Sequence, residues 1–155
     1  MKKLLYFIVA VAAMTFGSSC EDNFKGVNHI VEYCRLQVFR DGEMVFDDTN
    51  ANWTFEKQDD GTYTLYMNET RFVEAMPMLD MEVRGMENDS ASSDDAFSFA
   101  AAAIVPYYAG VEYPRYTLTD FSCKVSADGN NMEVGFNCAG YVVVYTKTIE
   151  YVLYE

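Results

Sequence analysis

One histidine, His29, stands in the whole chain. A Ser-His-Asp set would have to use it. The sequence holds no Gly-x-Ser-x-Gly, no His-Glu-x-x-His and no phosphate loop that would give it partners. Basic residues are also scarce: 11 Lys and Arg face 24 Asp and Glu, for a net charge of −13. Such a surface repels phosphate backbones, so no nucleic acid is expected as a partner. It equally disfavours electrostatic binding to anionic lipid headgroups. The four cysteines contain no Cys-x-x-Cys and no Cys/His cluster, so neither a zinc site nor a redox motif is supported. There is no apolar run of the roughly 20 residues that a membrane-spanning helix needs.

What the N-terminus does hold is a shorter pattern. Met1-Lys2-Lys3 is a positive head, residues 4–16 are thirteen residues without a charge, and small residues lead from Gly17 to Cys20. This is the length and polarity of a secretory signal peptide. The ending Gly17-Ser18-Ser19-Cys20 resembles a bacterial lipobox, in which the cysteine sulfur takes a diacylglycerol and becomes the new N-terminus. Gly17 stands where Leu, Val or Ile is usual, a looseness shared with lipoproteins of Bacteroidetes. The alternative is cleavage nearer residues 10–13, leaving Cys20 a plain thiol. The expected division is a signal peptide over 1–19, a lipidated cysteine and tether over 20–28, and one folded domain over 29–155. Loss of 1–19 removes Lys2 and Lys3, so nine basic residues remain against 24 acids, a net charge of −15. Glu21 and Asp22, directly after the cysteine, resemble the signal that sends such lipoproteins to the outer face of the outer membrane. The membrane contact expected is through the lipid anchor only.

The remainder reads as β throughout. Period-two alternation recurs over 30–39, 52–57, 62–67, 79–84, 116–126, 132–138 and 141–153, with turn residues between. The stretch 96–105 is ambiguous, because its four alanines also favour helix. About eight strands at this spacing suit an antiparallel barrel or sandwich. Two hairpins can be placed in register. A three-residue loop Asp59-Asp60-Gly61 pairs Gln58 with Thr62, so Lys57 faces Tyr63, Phe55 faces Leu65 and Trp53 faces Met67. A loop centred on Asp128-Gly129 pairs Val125 with Met132, Cys123 with Val134 and Phe121 with Phe136. A slip of one residue would turn the apolar set outward. In this register Cys123 and Cys138 lie about 13 Å apart along the ladder, too far for a disulfide. The three cysteines after Cys20 are then buried core residues, or Cys34 bridges one of the other two. Residues 86–95, MENDSASSDD, read as a loop with nothing to pack.

The segment Gly61 to Met86 resembles the calycin-like β-barrel lipoproteins of gut Bacteroides. The likeness rests on Gly61-Thr62-Tyr63-Thr64, Phe72, Met76-Pro77 and Val83-Arg84-Gly85 in that order. Ile104-Val105-Pro106-Tyr107 and the hairpin at Asp128-Gly129-Asn130 extend it toward Cys138. The resemblance implies an all-β, antiparallel, up-and-down barrel of eight strands, lipocalin-like, with 96–105 as a strand, and it brings no catalytic residues. The Gly-x-Trp of true lipocalins is absent, since Ala51 and Asn52 precede Trp53.

Eight strands close around an interior just wide enough for packed side chains or one small ligand. The inward candidates are Trp53, Phe55, Leu65, Met67, Phe121 and Phe136. The first functional expectation is therefore a lipid-anchored cell-envelope protein holding a small apolar or amphipathic molecule in the barrel. The alternative is a surface protein with a packed barrel whose loops bind glycan or protein. Tyr107, Tyr108, Tyr113 and Tyr116 of PYYAGVEYPRY would make the contacts, tyrosine being large, stiff and half polar. A hydrolase using His29 or a carboxylate pair is a third and weaker reading. No cofactor and no metal are expected. The acids Asp41, Glu43, Asp47 and Asp48, and Glu87, Asp89, Asp94 and Asp95, lack EF-hand spacing and read as solvated. Asp89-Ser90-Ala91 resembles the short motif at which Bacteroides species attach O-glycans, making Ser90 a candidate acceptor.

Overall fold

The computed structural model describes residues 27–89 and 95–153. Among them lie eleven strands, no α-helix and a short 3-10 turn at Pro114–Tyr116. The strands are β1 Val27–Arg40, β2 Glu43–Asp48, β3 Thr54–Lys57, β4 Tyr63–Thr70, β5 Leu79–Met86, β6 Asp95–Ile104, β7 Tyr107–Tyr108, β8 Val111–Glu112, β9 Leu118–Ser126, β10 Asn131–Cys138 and β11 Tyr141–Leu153. They form two antiparallel sheets, β2-β1-β11-β10-β9-β6 and β3-β4-β5-β7-β8. The fold is all-β. Among the described residues no ladder joins the two sheets, so the hydrogen bonding is that of a pair of sheets and not of one closed barrel.

The two hairpins follow from loop length and alternation. Gln58 and Thr62 bracket the first loop, with the Gln58 amide bonded to the Thr62 carbonyl at 2.7 Å. Gly61 takes the left-handed φ of +88° that the third loop position requires. Phe55 then faces Leu65 and Lys57 faces Tyr63, as expected. In the second hairpin Val125 faces Met132 and Cys123 faces Val134. The expected Phe121–Phe136 pairing is corrected by a bulge between Gly135 and Asn137, with Asp120 at a φ of +49°. Both rings still point inward, their centroids 6.1 Å apart.

Three further departures have physical reasons. Residues 43–48 form a strand that the expected set lacks, because Met44, Val45 and Phe46 follow an Asp41-Gly42 turn. Both turn residues have positive φ, the geometry of a two-residue hairpin. The count rises from eight strands to eleven through this strand and through the small hairpin β7–β8. Met86 belongs to the core and not to a loop, being fully buried at the end of β5. Residues 95–104 are a strand paired along β9, which resolves the ambiguity of the alanine run.

The core lies between the sheets. Alternate residues of each strand point into it, among them Leu36, Val38, Leu65, Val83, Phe97, Val125, Val134 and Val143, all at most 1% exposed. Each such side chain contributes about 1.5–3 kcal/mol through removal from water. Ring contacts tie one sheet to the other: Phe55 and Tyr63 meet Phe97 at 4.7 and 4.6 Å, and Phe72 meets Phe136 at 5.5 Å.

Candidate functional site

The six inward candidates all reach the interior. Trp53, Leu65 and Met67 are wholly buried, and Phe55, Phe121 and Phe136 are 1–3% exposed. The four aromatic ones lie against one another or against neighbouring rings. The Trp53 indole lies 4.4 Å from the Tyr145 ring and 6.2 Å from that of Phe136. All six belong to a single cluster of buried residues.

That cluster carries a polar seam on the inner face of β1 and β11. The Tyr145 hydroxyl accepts the Trp53 backbone N–H at 3.1 Å. Burial pushes this phenol well above the ordinary tyrosine range, and its hydrogen bond with Cys34 pushes the same way. Two residues on, Lys147 is 6% exposed; its ammonium meets Glu32 at 3.0 Å and the Asn52 side-chain carbonyl at 3.2 Å. Lys147 escaped the sequence reading, yet the alternation Val143, Tyr145, Lys147, Ile149 gives it the same inward phase as its neighbours. Cys34, Cys123 and Cys138 are all free thiols, which decides against a bridge through Cys34. Burial pushes the thiol of Cys123 up to about 12 and that of Cys138 up to about 11.

The four tyrosines gather at the edge of this core, with Tyr116 packed against it. Residues 105–117 leave the six-stranded sheet at Ile104, add β7 to β5 at Met81 and Glu82, and turn back as β8. The turn is Ala109-Gly110, both with positive φ. Tyr108, Tyr113 and Tyr116 form a chain of rings 5.5 and 5.4 Å apart, with planes rotated by 41° and 43° at each step. Such contacts contribute about 0.5–1.5 kcal/mol each, enough to order a short hairpin. Tyr107 sits under the Arg84 guanidinium at 4.4 Å and donates to Glu112 at 3.4 Å. A hydrogen bond with Glu82 holds Arg84 above its ordinary range. Arg84 and Glu82 are companions of the tyrosines that the sequence reading missed. Val111, 64% exposed, stands at the outer edge of the hairpin, and Tyr108 is 37% exposed. A second, shallow groove of about 370 Å³ lies on the outer face of β9–β11, over Gly135 between Ser122, Lys124, Glu133 and Thr146.

The remaining candidates do not converge. His29 is exposed on β1 opposite Val152. Asp47 grips Arg35 through two bonds of 2.9 Å, and Asp48 accepts the Asn50 amide at 2.8 Å. Among the described residues no three His, Cys, Asp or Glu side chains come together as metal ligands would. Cys20 and Ser90 lie outside the described residues, as does Asp94.

The chain matches no known protein-family model, no curated protein and no solved structure.

Proposed function

We propose that this chain is a lipid-anchored binding protein of the bacterial outer membrane, held by Cys20 and exposed at the cell surface. In this reading its domain is a calycin-like meander parted at two seams, without catalytic activity. Its filled interior leaves partner contact to the tyrosine hairpin, which takes a surface glycan or protein. Support for the topology comes from strand order. Apart from the β7–β8 hairpin, each strand from β1 to β11 follows its neighbour around the core, and β11 returns to β1, with openings only at β2/β3 and β5/β6.

The observation that carries the choice of surface over interior is the ring packing around Trp53. A guest molecule there would have to separate rings already 4.4–6.2 Å apart. The hairpin, by contrast, is ordered by its own rings while leaving Tyr108 and Val111 facing solvent. Ordered aromatic surface is cheap to use in binding, because little side-chain freedom remains to be lost.

The test is glycan-array and surface-crosslinking binding with the full-length protein extracted from its membrane. Tyr108→Ala with Tyr113→Ala should abolish capture while the domain stays folded, with a stability loss of no more than about 1–3 kcal/mol for the two ring contacts removed. Capture unchanged in the double variant would sink this reading. A small-molecule adduct on the native mass, kept in the double variant but lost in Leu65→Trp, would return the ligand to the interior.

A further inference from the structure

The long strands β1 and β11 outrun the rest of their sheet. On one side β2 pairs with β1 no further than Leu36. On the other, β10 ends where Asn131 meets Thr148, with one more bond from the Ile149 amide to Asn130. Beyond that point, among the described residues, 27–31 and 150–153 pair only with each other in the ladder. A two-stranded ribbon of this kind is marginal in water on its own.

The ribbon nevertheless carries apolar side chains on both faces. Ile30 and Tyr151 are direct cross-strand partners, 51% and 40% exposed. Tyr33, at the base of the ribbon where Thr148 still meets Asn131 and on the opposite face by alternation, is 55% exposed. Tyrosine and isoleucine exposed together at the tip of an element match the composition of membrane–water interfaces, where amphipathic rings sit among the headgroups.

The position of the ribbon supplies its partner. Val27 follows Cys20 by seven residues, so an anchor at Cys20 lies at most about 25 Å from the start of β1. We infer that this end of the sheet, through Ile30 and Tyr151 on the ribbon and Tyr33 at its base, seats in the interfacial layer of the bilayer that holds the anchor. This rests on the lipid-anchor reading above. The contact is apolar, which suits a chain too acidic to be drawn by anionic lipid. Glu150, opposite Val31, is exposed and limits the depth to the headgroup layer.

A direction for the molecule follows. β1 is 14 residues long, about 45 Å at 3.3 Å per residue. The excursion carrying the tyrosine hairpin leaves the sheet where Ile104 meets Leu118, the end shared with the Asp41-Gly42 turn and opposite to Val27. The domain stands upright, with its tyrosines turned away from the membrane.

The experiment uses the full-length lipoprotein in phosphatidylcholine vesicles whose acyl chains carry bromine near the headgroups, a short-range quencher of tryptophan. Trp53, the only tryptophan, is buried and serves as the unquenched reference. New tryptophans are placed at exposed sites as Tyr33→Trp, Tyr151→Trp and Tyr108→Trp. Quenching should be at least about threefold stronger at 33 and 151 than at 108, as an interfacial belt requires. Equal and weak quenching at all three sites, on protein whose mass shows the diacylglyceryl group, overturns the seating but leaves the anchor standing. Stronger quenching at 108 overturns the direction. A mass without lipid at Cys20 overturns the anchor reading, and this inference with it.

Discussion

Tyr145→Phe removes one oxygen atom from the centre of the protein and leaves the ring in place. The stack on Trp53 at 4.4 Å should survive. What goes is the acceptor of the Trp53 backbone N–H, a buried group bonded at 3.1 Å. A buried amide left without an acceptor costs about 1–3 kcal/mol. Relief from burying the phenol hydroxyl offsets part of this, since that oxygen is itself costly to desolvate. The net expectation is a loss of about 1–2 kcal/mol. For a domain of this size that corresponds to a fall in Tm of about 3–8 °C.

Urea unfolding followed by Trp53 fluorescence reads the effect directly, because the indole reports from the same cluster. The midpoint should move down with the slope m unchanged, the mark of altered stability rather than altered compactness. Tyr141→Phe is the control. Its hydroxyl takes a weak 3.4 Å bond from Arg40 at the surface, so it should stay within about 0.5 kcal/mol of the wild type. The reasoning is refuted if Tyr145→Phe matches the wild type within that margin, or if both variants lose the same amount.

Three other outcomes follow from the same structure. In the native protein an alkylating reagent at pH 8 should label Cys34, which is half-buried, while Cys123 and Cys138 react only after unfolding; peptide mass mapping decides this, and native labelling of Cys123 contradicts its burial and raised pKa. Lys147→Ala should lose about 1–3 kcal/mol by leaving Glu32 and Asn52 without their cation, whereas Lys147→Met should lose less because it keeps the packed stem; equal losses on chemical denaturation would show that the stem contributes nothing and that the lost charge accounts for the whole effect. The Asp128 carboxylate is held below its ordinary value of 3.8 by the Ser126 hydroxyl first and the Asn130 amide second. A depressed carboxyl stabilises the fold above its unfolded pKa and loses that contribution as pH falls through the folded one. Asp128→Asn should therefore flatten the stability profile below pH 3.8, and an unchanged acid limb would remove Asp128 from the account.

How much of this was legible from residues alone depends on which force decides each element. The β3–β4 and β9–β10 registers were readable because a short loop and a two-residue period leave one pairing that keeps Phe55, Leu65, Cys123 and Val134 on the same side. β2 was missed because Glu43, Asp47 and Asp48 were weighed only as solvated acids. On an edge strand Asp47 simply points outward to Arg35 while Phe46 points in. Met86 was lost in the same way, placed in a loop by the polar residues that follow it. β7 and β8, at two residues each, are too short for any period to show; only the Ala109-Gly110 turn marked them.

The site divides along the same line. Alternation tells which side chains point inward, and all six interior candidates did. It does not tell whether they meet in the middle, because that depends on how closely the two sheets approach. Trp53, which lies outside any strand, is carried on the segment between β2 and β3 until its indole rests on Tyr145. A smaller residue at 53 would let the same pattern enclose a space; a tryptophan there fills it. The inward phase that made these residues look like a pocket is therefore the reason they form a plug. Under the proposed function a partner then meets the tyrosine hairpin, which touches the core through Tyr116 and leaves Tyr108 and Val111 facing solvent.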